Sequence, residues 1–111
     1  MLDGTLVVDV HPSAVEFAFT VSNADTDPVE LTFRSGKVAD VAVYDGEAVV
    51  WRWSDGRMFT QALRTDTFDP GESFTHTATW EHPSSGSYTA EATLEATNAD
   101  FSVRQSFTVE D

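Results

Sequence analysis

Apolar and polar residues alternate with a period of two along most of the chain, and the helical spacing i, i+3, i+4 is sustained nowhere. The clearest run covers 14–23, where Val15, Phe17, Phe19 and Val21 fall on one side and Glu16, Ala18, Thr20 and Ser22 on the other. Successive side chains of a strand point to opposite faces, so this run predicts a strand with one face in a core and one in water. The same rhythm predicts strands over 5–10, over 29–34 with Leu31 and Phe33 inward, and over 73–80 with Phe74, Ala78 and Trp80 inward. Tyr88, Ala90, Ala92, Leu94 and Ala96 alternate with Thr89, Glu91, Thr93 and Glu95. Phe101, Val103, Phe107 and Val109 predict a last strand.

Turn signals separate these runs: His11-Pro12, the stretch 23–28, Ser35-Gly36, Asp45-Gly46, Asp55-Gly56, Asp69-Pro70-Gly71, the stretch 83–86, and Asn98-Ala99-Asp100. Glycine supplies positive φ and proline presets the turn, so each is a mechanistic stop. Asp45-Gly46 is the sharpest and predicts a type I′ hairpin joining 40–44 to 48–53. Seven to nine short antiparallel strands at this spacing predict an all-β, immunoglobulin-like two-sheet β-sandwich, with a closed barrel as the alternative. There is no cysteine to staple the sheets, so aromatics must join them, and Trp51 and Trp80 are the candidates.

A length of 111 residues predicts a single domain over 1–111. Eight Phe, three Trp and two Tyr are enough to build its core without covalent help. The absence of cysteine excludes disulfides, thiol nucleophiles and thiolate metal sites and favours a cytoplasmic setting. No basic segment followed by an apolar run stands behind Met1-Leu2-Asp3-Gly4, so no signal peptide is expected, and nothing is long enough to span a membrane.

Charge adds a further restriction. Nineteen Asp and Glu stand against five Arg and a single lysine, Lys37, for a formal net charge of −13. Such a chain repels nucleic acid phosphates and anionic lipid, so neither is an expected partner. The acids are spread over the whole chain, which suits a protein hydrated in multimolar salt, where the Debye length is about 3 Å or less. A halophilic source is the expectation.

One stretch breaks the alternation, 51–63. Two tryptophans, two arginines and a methionine fall within 51–58, and these residue types are enriched at protein interfaces. The plainer reading is that Trp51 and Trp53 share a strand face and pack in the core while Arg52 offsets neighbouring acids. Enzymatic chemistry finds no comparable focus. His11, His76 and His82 are far apart, and His76 on the inward face of its strand reads as a hydrogen-bonded core or rim histidine. Asp25-Thr26-Asp27 lacks the glycine and distal glutamate of a calcium loop and reads as an Asx turn. No nucleophile elbow and no phosphate-cradling glycine motif occurs. No catalytic residue and no metal ligand is assigned.

Some of these residues also form a familiar series. Val15-x-Phe17-x-Phe19-x-Val21-x-Asn23, then Val29-x-Leu31-x-Phe33-x-Ser35-Gly36, then Val50-Trp51-Arg52-Trp53-Ser54-x-Gly56-x-x-Phe59-x-Gln61-Ala62-Leu63, resembles the intracellular proteinase inhibitor (BsuPI) family. Pro70-Gly71-Glu72 before a strand ending in Trp80, and Gly86-x-Tyr88 opening the next, fit the same pattern. The resemblance implies an immunoglobulin-like sandwich that, in the founding members, inhibits intracellular subtilisin-type serine proteases. With no catalytic focus found, the expectation is a protein that is not an enzyme and binds such a protease by non-covalent contact, as a monomer without a cofactor. The resemblance brings no reactive bond onto a residue here. The expected partner-binding residues are Trp53, Ser54, Asp55, Gly56, Arg57, Met58, Phe59 and Gln61, with Met58 filling an apolar pocket and Arg57 pairing with acids. An edge strand added to the protease's substrate-binding strands is a second route. The competing expectations are a structural or interaction module with a non-protease partner, and a calcium- or carbohydrate-binding sandwich, which a ligand would stabilise.

Overall fold

The computed structural model describes residues 2–110, so Met1 and Asp111, which the expectation of one domain over 1–111 includes, lie outside the described residues. Nine strands follow one another without a helix among those residues: β1 Leu2–Val10, β2 Ala14–Asn23, β3 Val29–Phe33, β4 Ala39–Asp45, β5 Ala48–Arg52, β6 Arg64–Phe68, β7 Ser73–Glu81, β8 Gly86–Leu94 and β9 Phe101–Val109. All pair antiparallel.

The alternation along β2 decides the core. Val15, Phe17, Phe19 and Val21 are buried, while Glu16 is exposed. β2 lies between β1 and β7, and this sheet faces a second one in the order β5-β4-β8-β9. Aromatic rings join the two sheets. Phe17 meets Phe107 at 5.8 Å edge-on, Phe19 stacks on Phe101 at 6.3 Å, and Trp51 of β5 stacks on both Phe17 (5.9 Å) and Trp80 of β7 (6.2 Å). Without a disulfide, Trp51 and Trp80 thus join the two sheets from their edge strands β5 and β7.

The expected all-β, immunoglobulin-like antiparallel sandwich is present, its nine strands within the expected seven to nine, with a small two-stranded sheet, β3-β6, beside the two large ones. β3 meets the β8–β9 connection, where Phe33 bridges to Ala96, the Thr97 N–H donates to the Thr32 carbonyl and Asn98 bonds Glu30 and Thr32. Leu31, Phe33 and Leu94 form a second buried cluster under it. One expectation needs correction. The hairpin turn after β4 differs from type I′. Asp45 pairs with Ala48, which leaves Gly46 and Glu47 as the loop. Of these only Gly46 has positive φ, at 62°, the pattern of a II′ turn, in which glycine takes the first central position.

The turn after β2 is headed by Asn23, which is buried and whose side-chain oxygen accepts from the Asp25 N–H at 2.9 Å. Its amide also donates to the carbonyls of Asp27 (2.9 Å) and Phe68 (2.8 Å), tying β2 to β6.

Candidate functional site

The segment 53–63 leaves β5 and leads to β6. Its first residue stays in the ladder's path, because the Trp53 N–H donates to the Val41 carbonyl at 2.9 Å. Trp51 and Trp53 do share a face. Both are half-buried against the main core, as the plainer sequence reading has it. The Trp53 ring meets Phe59 at 5.6 Å and stands edge-on to His76 at 4.3 Å.

The chain then turns twice. Asp55 N–H donates to the Arg52 carbonyl (3.1 Å) and Arg57 N–H to the Ser54 carbonyl (3.2 Å), with Gly56 at φ 77° between them. A side chain at that φ is strained, so glycine fits the turn. Arg57 folds back on its own loop. Its Nε donates to the Trp53 carbonyl at 2.8 Å, and its guanidinium lies 4.5 Å from the centroid of the Trp53 ring. Beyond it Met58 is 98% exposed. Phe59 returns inward, the Thr60 carbonyl accepts from Gly36 N–H at 2.9 Å, and Gln61 and Leu63 are exposed again. Of the expected contact residues, then, Trp53, Arg57 and Phe59 form one packed cluster. Asp55, Gly56, Met58 and Gln61 face outward, and Ser54 is half-buried.

Ser54 leads to a residue that the sequence reading did not single out. Asp40 is only 3% exposed. Its Oδ1 accepts from the N–H of Val41 (2.9 Å) and of Ser54 (3.2 Å), and its Oδ2 from the Ser54 hydroxyl (2.6 Å) and Lys37 Nζ (3.3 Å). Arg52 stands 4.0 Å away. A buried carboxylate requires such partners, and here they clamp the loop onto β4. Lys37 also pairs with Glu95 at 3.2 Å. Burial acts to lower the Lys37 pKa, but Glu95 and Asp40 outweigh it and hold it above the ordinary lysine value. The available signal was Asp40 itself, a carboxylate inside the apolar run Val38-Ala39-Asp40-Val41-Ala42-Val43.

His76 sits under this cluster. The sequence reading expects a hydrogen-bonded histidine, whereas Nε2 is buried with no hydrogen-bond partner among the described residues, the Trp53 ring standing edge-on to the imidazole. Burial lowers its pKa below the ordinary value. The Asp40 charge opposes that shift and the Arg57 charge reinforces it. Among the described residues no group of three His, Asp or Glu is placed to hold a metal ion.

An open groove borders the loop. Trp51, Arg52, Asp55 and Arg57 line one side, and β7 from Thr77 to Glu81 lines the other.

Comparison with known proteins bears on this geometry. A family model described as BsuPI, intracellular proteinase inhibitor, matches residues 2–99. No curated protein matches the sequence. β-Glucosidase 3B from Thermotoga neapolitana in complex with glucose aligns with all of this chain at 11% identity and a TM-score of 0.56. The β-glucosidase from Kluyveromyces marxianus does so at 14% and 0.55. This chain spans 16% and 14% of those enzymes, so the likeness shows a shared fold alone. A CARDB domain from Pyrococcus furiosus aligns at 21% identity and a TM-score of 0.43, covering 97% of this chain and 86% of that one.

Proposed function

Since the chain belongs to the BsuPI family of intracellular proteinase inhibitors, we propose that it binds an intracellular subtilisin-type serine protease by non-covalent contact, and that the loop from Trp53 to Gln61 carries the contact. The observation that supports this reading most is Met58, which is 98% exposed on a loop fixed on both sides. Asp40 holds Ser54 before it, and the Gly36 to Thr60 hydrogen bond holds it after. A loop ordered before binding loses little entropy in the complex. An unbranched, polarizable methionine adapts to an apolar specificity pocket. Arg57 has a role in the free loop besides the pairing with acids on the partner that is proposed for it. Folded over Trp53, it stiffens the loop and leaves Met58 to reach outward. Asp55, Gly56 and Gln61 form the polar rim around it. Contact of this kind needs no cofactor, and one domain over 1–111 acting as a monomer suffices for it.

The test is a titration of such a protease with the protein in multimolar KCl, with circular dichroism confirming that the protein is folded. Saturable inhibition with the inhibitor left intact is expected, and Met58→Ala weakens it at least about tenfold while Met58→Leu retains it. A folded protein that leaves the protease active would transfer the reading to an interaction module with a non-protease partner.

A further inference from the structure

The sandwich has one covered seam and one open seam. β1 packs along β9, with the Phe101 ring directly over Gly4. On the other side β5 and β7 are the outermost strands of their sheets, and the groove runs between them.

The hydrogen-bonding phase of β7 follows from its junction with β2. Asn23 N–H donates to the Glu72 carbonyl (2.9 Å) and the Asn23 carbonyl accepts from Gly71 N–H (2.9 Å), so odd residues of β2 turn their backbone groups toward β7. The register pairs them with even residues of β7: Val21 with Phe74, Phe19 with His76, Phe17 with Ala78, Val15 with Trp80. His82 N–H, donating to the Ser13 carbonyl at 2.9 Å, keeps the same phase. Backbone N–H and C=O groups alternate sides along a strand. Thr75, Thr77 and Thr79 therefore turn theirs away from β2, and of these Thr77 and Thr79 line the open groove.

Sheet edges are ordinarily blunted by charge, proline or a bulge. β5 carries a bulge opposite Val43 and Tyr44, β6 carries Arg64 and Asp66, β1 carries Asp3 and Asp9, and β9 carries Arg104. β7 pairs with β2 in unbroken register over nine residues and bears no formal charge before Glu81. β3, the other strand of the small sheet with β6, carries Glu30 and is bonded by Thr97 and Asn98, so β7 is a regular edge left open among the described residues.

Charge selects what enters. In a chain of net charge −13 an acidic segment is repelled over most of the surface. Arg64 and Arg104 are spent on Asp66 (2.9 Å) and Glu91 (3.0 Å). Arg52 and Arg57 line the groove, and Arg52 meets Asp40 only at 4.0 Å. Asp55 and Glu81 line it too, which confines the favourable place for an incoming carboxylate to the neighbourhood of the two arginines.

We propose that the free edge of β7 takes up an extended, acidic segment of the bound protease as an added strand, its main chain on Thr77 and Thr79 and a carboxylate facing Arg52. The inference rests on the inhibitor reading above and specifies how the partner is held. Main-chain pairing supplies affinity in such augmentation, and the flanking pockets supply selectivity.

The experiment uses the full chain and an intracellular subtilisin-type protease whose nucleophilic serine is replaced by alanine, in multimolar KCl. Thr79→Pro deletes an outward N–H without touching the ladder to β2. It is expected to weaken binding at least about tenfold, whereas Thr79→Val, which keeps the N–H, stays within about twofold. Arg52→Ala weakens binding by several-fold. Amide exchange at Thr77 and Thr79 slows on complex formation. If Thr79→Pro fails to fold by circular dichroism, Thr77→Pro and the exchange measurement on the unaltered chain decide. Undiminished binding by the proline variants, or amides that stay fast in the complex, overturns this inference and leaves the inhibitor reading standing. Absence of binding by the unaltered chain overturns both. A proline-sensitive dimer of the chain in place of protease binding overturns the assigned occupant.

Discussion

At Asp40 a single carboxylate organises four hydrogen bonds and two cations, and the loop that presents Met58 hangs on it. Asp40→Ala leaves the Ser54 N–H and hydroxyl unpaired and removes the counter-charge of Lys37 and Arg52. The expected cost is about 2–4 kcal/mol in urea unfolding, toward the lower end because both cations reach water. Asp40→Asn, which keeps an acceptor for Ser54, costs less, and equal losses from the two variants would contradict the clamp. His76 supplies a second residue-scale prediction. Its folded pKa lies below 6.5, first through burial, so below that pH the unfolded chain takes up the proton more readily than the folded one. Stability therefore falls as pH drops through about 6.5 and levels off below the folded pKa. His76→Gln removes that part of the slope, and an unchanged profile would contradict it. Met58 was legible in the sequence as an interface residue type on a glycine turn. Asp40 stood out only as a carboxylate inside an apolar run, and its role was not legible, because its partners Ser54 and Arg52 come from another strand and its exit, and pairing across β4 and β5 is a tertiary fact.

At the scale of elements, alternation located the strands whose faces differ. β2 matches its expected bounds, and the inward residues of β3, β7 and β8 are those of the pattern. β6 was missed. Arg64-Thr65-Asp66-Thr67-Phe68 contains one apolar residue, and it becomes a strand because β3 offers it an edge over Val29–Phe33. The hairpin after β4 was anticipated, yet its turn shifted by one residue, since the register of β4 on β8 and β5 pairs Asp45 with Ala48. The aromatic stack of Phe17, Trp51 and Trp80 ties β5 to β7 across the core, so Trp51→Ala is expected to cost about 2–4 kcal/mol and Trp51→Phe clearly less. Thermal or urea denaturation followed by circular dichroism checks it. A loss below about 1 kcal/mol would mean the sheets are held elsewhere.

For the whole molecule, nineteen acids against six Lys and Arg make self-repulsion the dominant long-range term at low salt. Raising KCl from about 0.1 M to about 3 M is expected to raise Tm by more than about 5 °C, because the screening length falls from about 10 Å to under about 3 Å. An equal concentration of sucrose in osmotic terms, which leaves charge unscreened, separates screening from general solute exclusion. A Tm insensitive to KCl would remove the argument for a halophilic source. The amino-acid sequence by itself determined the all-β class, the main core faces and the exposed, glycine-hinged loop, because period-two alternation and turn chemistry act between near neighbours. Tertiary structure alone decided that β3 and β6 form a small sheet of their own, that Asp40 clasps Ser54, and that β7 is left with an unblocked edge beside two arginines. Those outcomes depend on strand order and hydrogen-bond phase, which relate residues tens of positions apart and leave no local periodic trace.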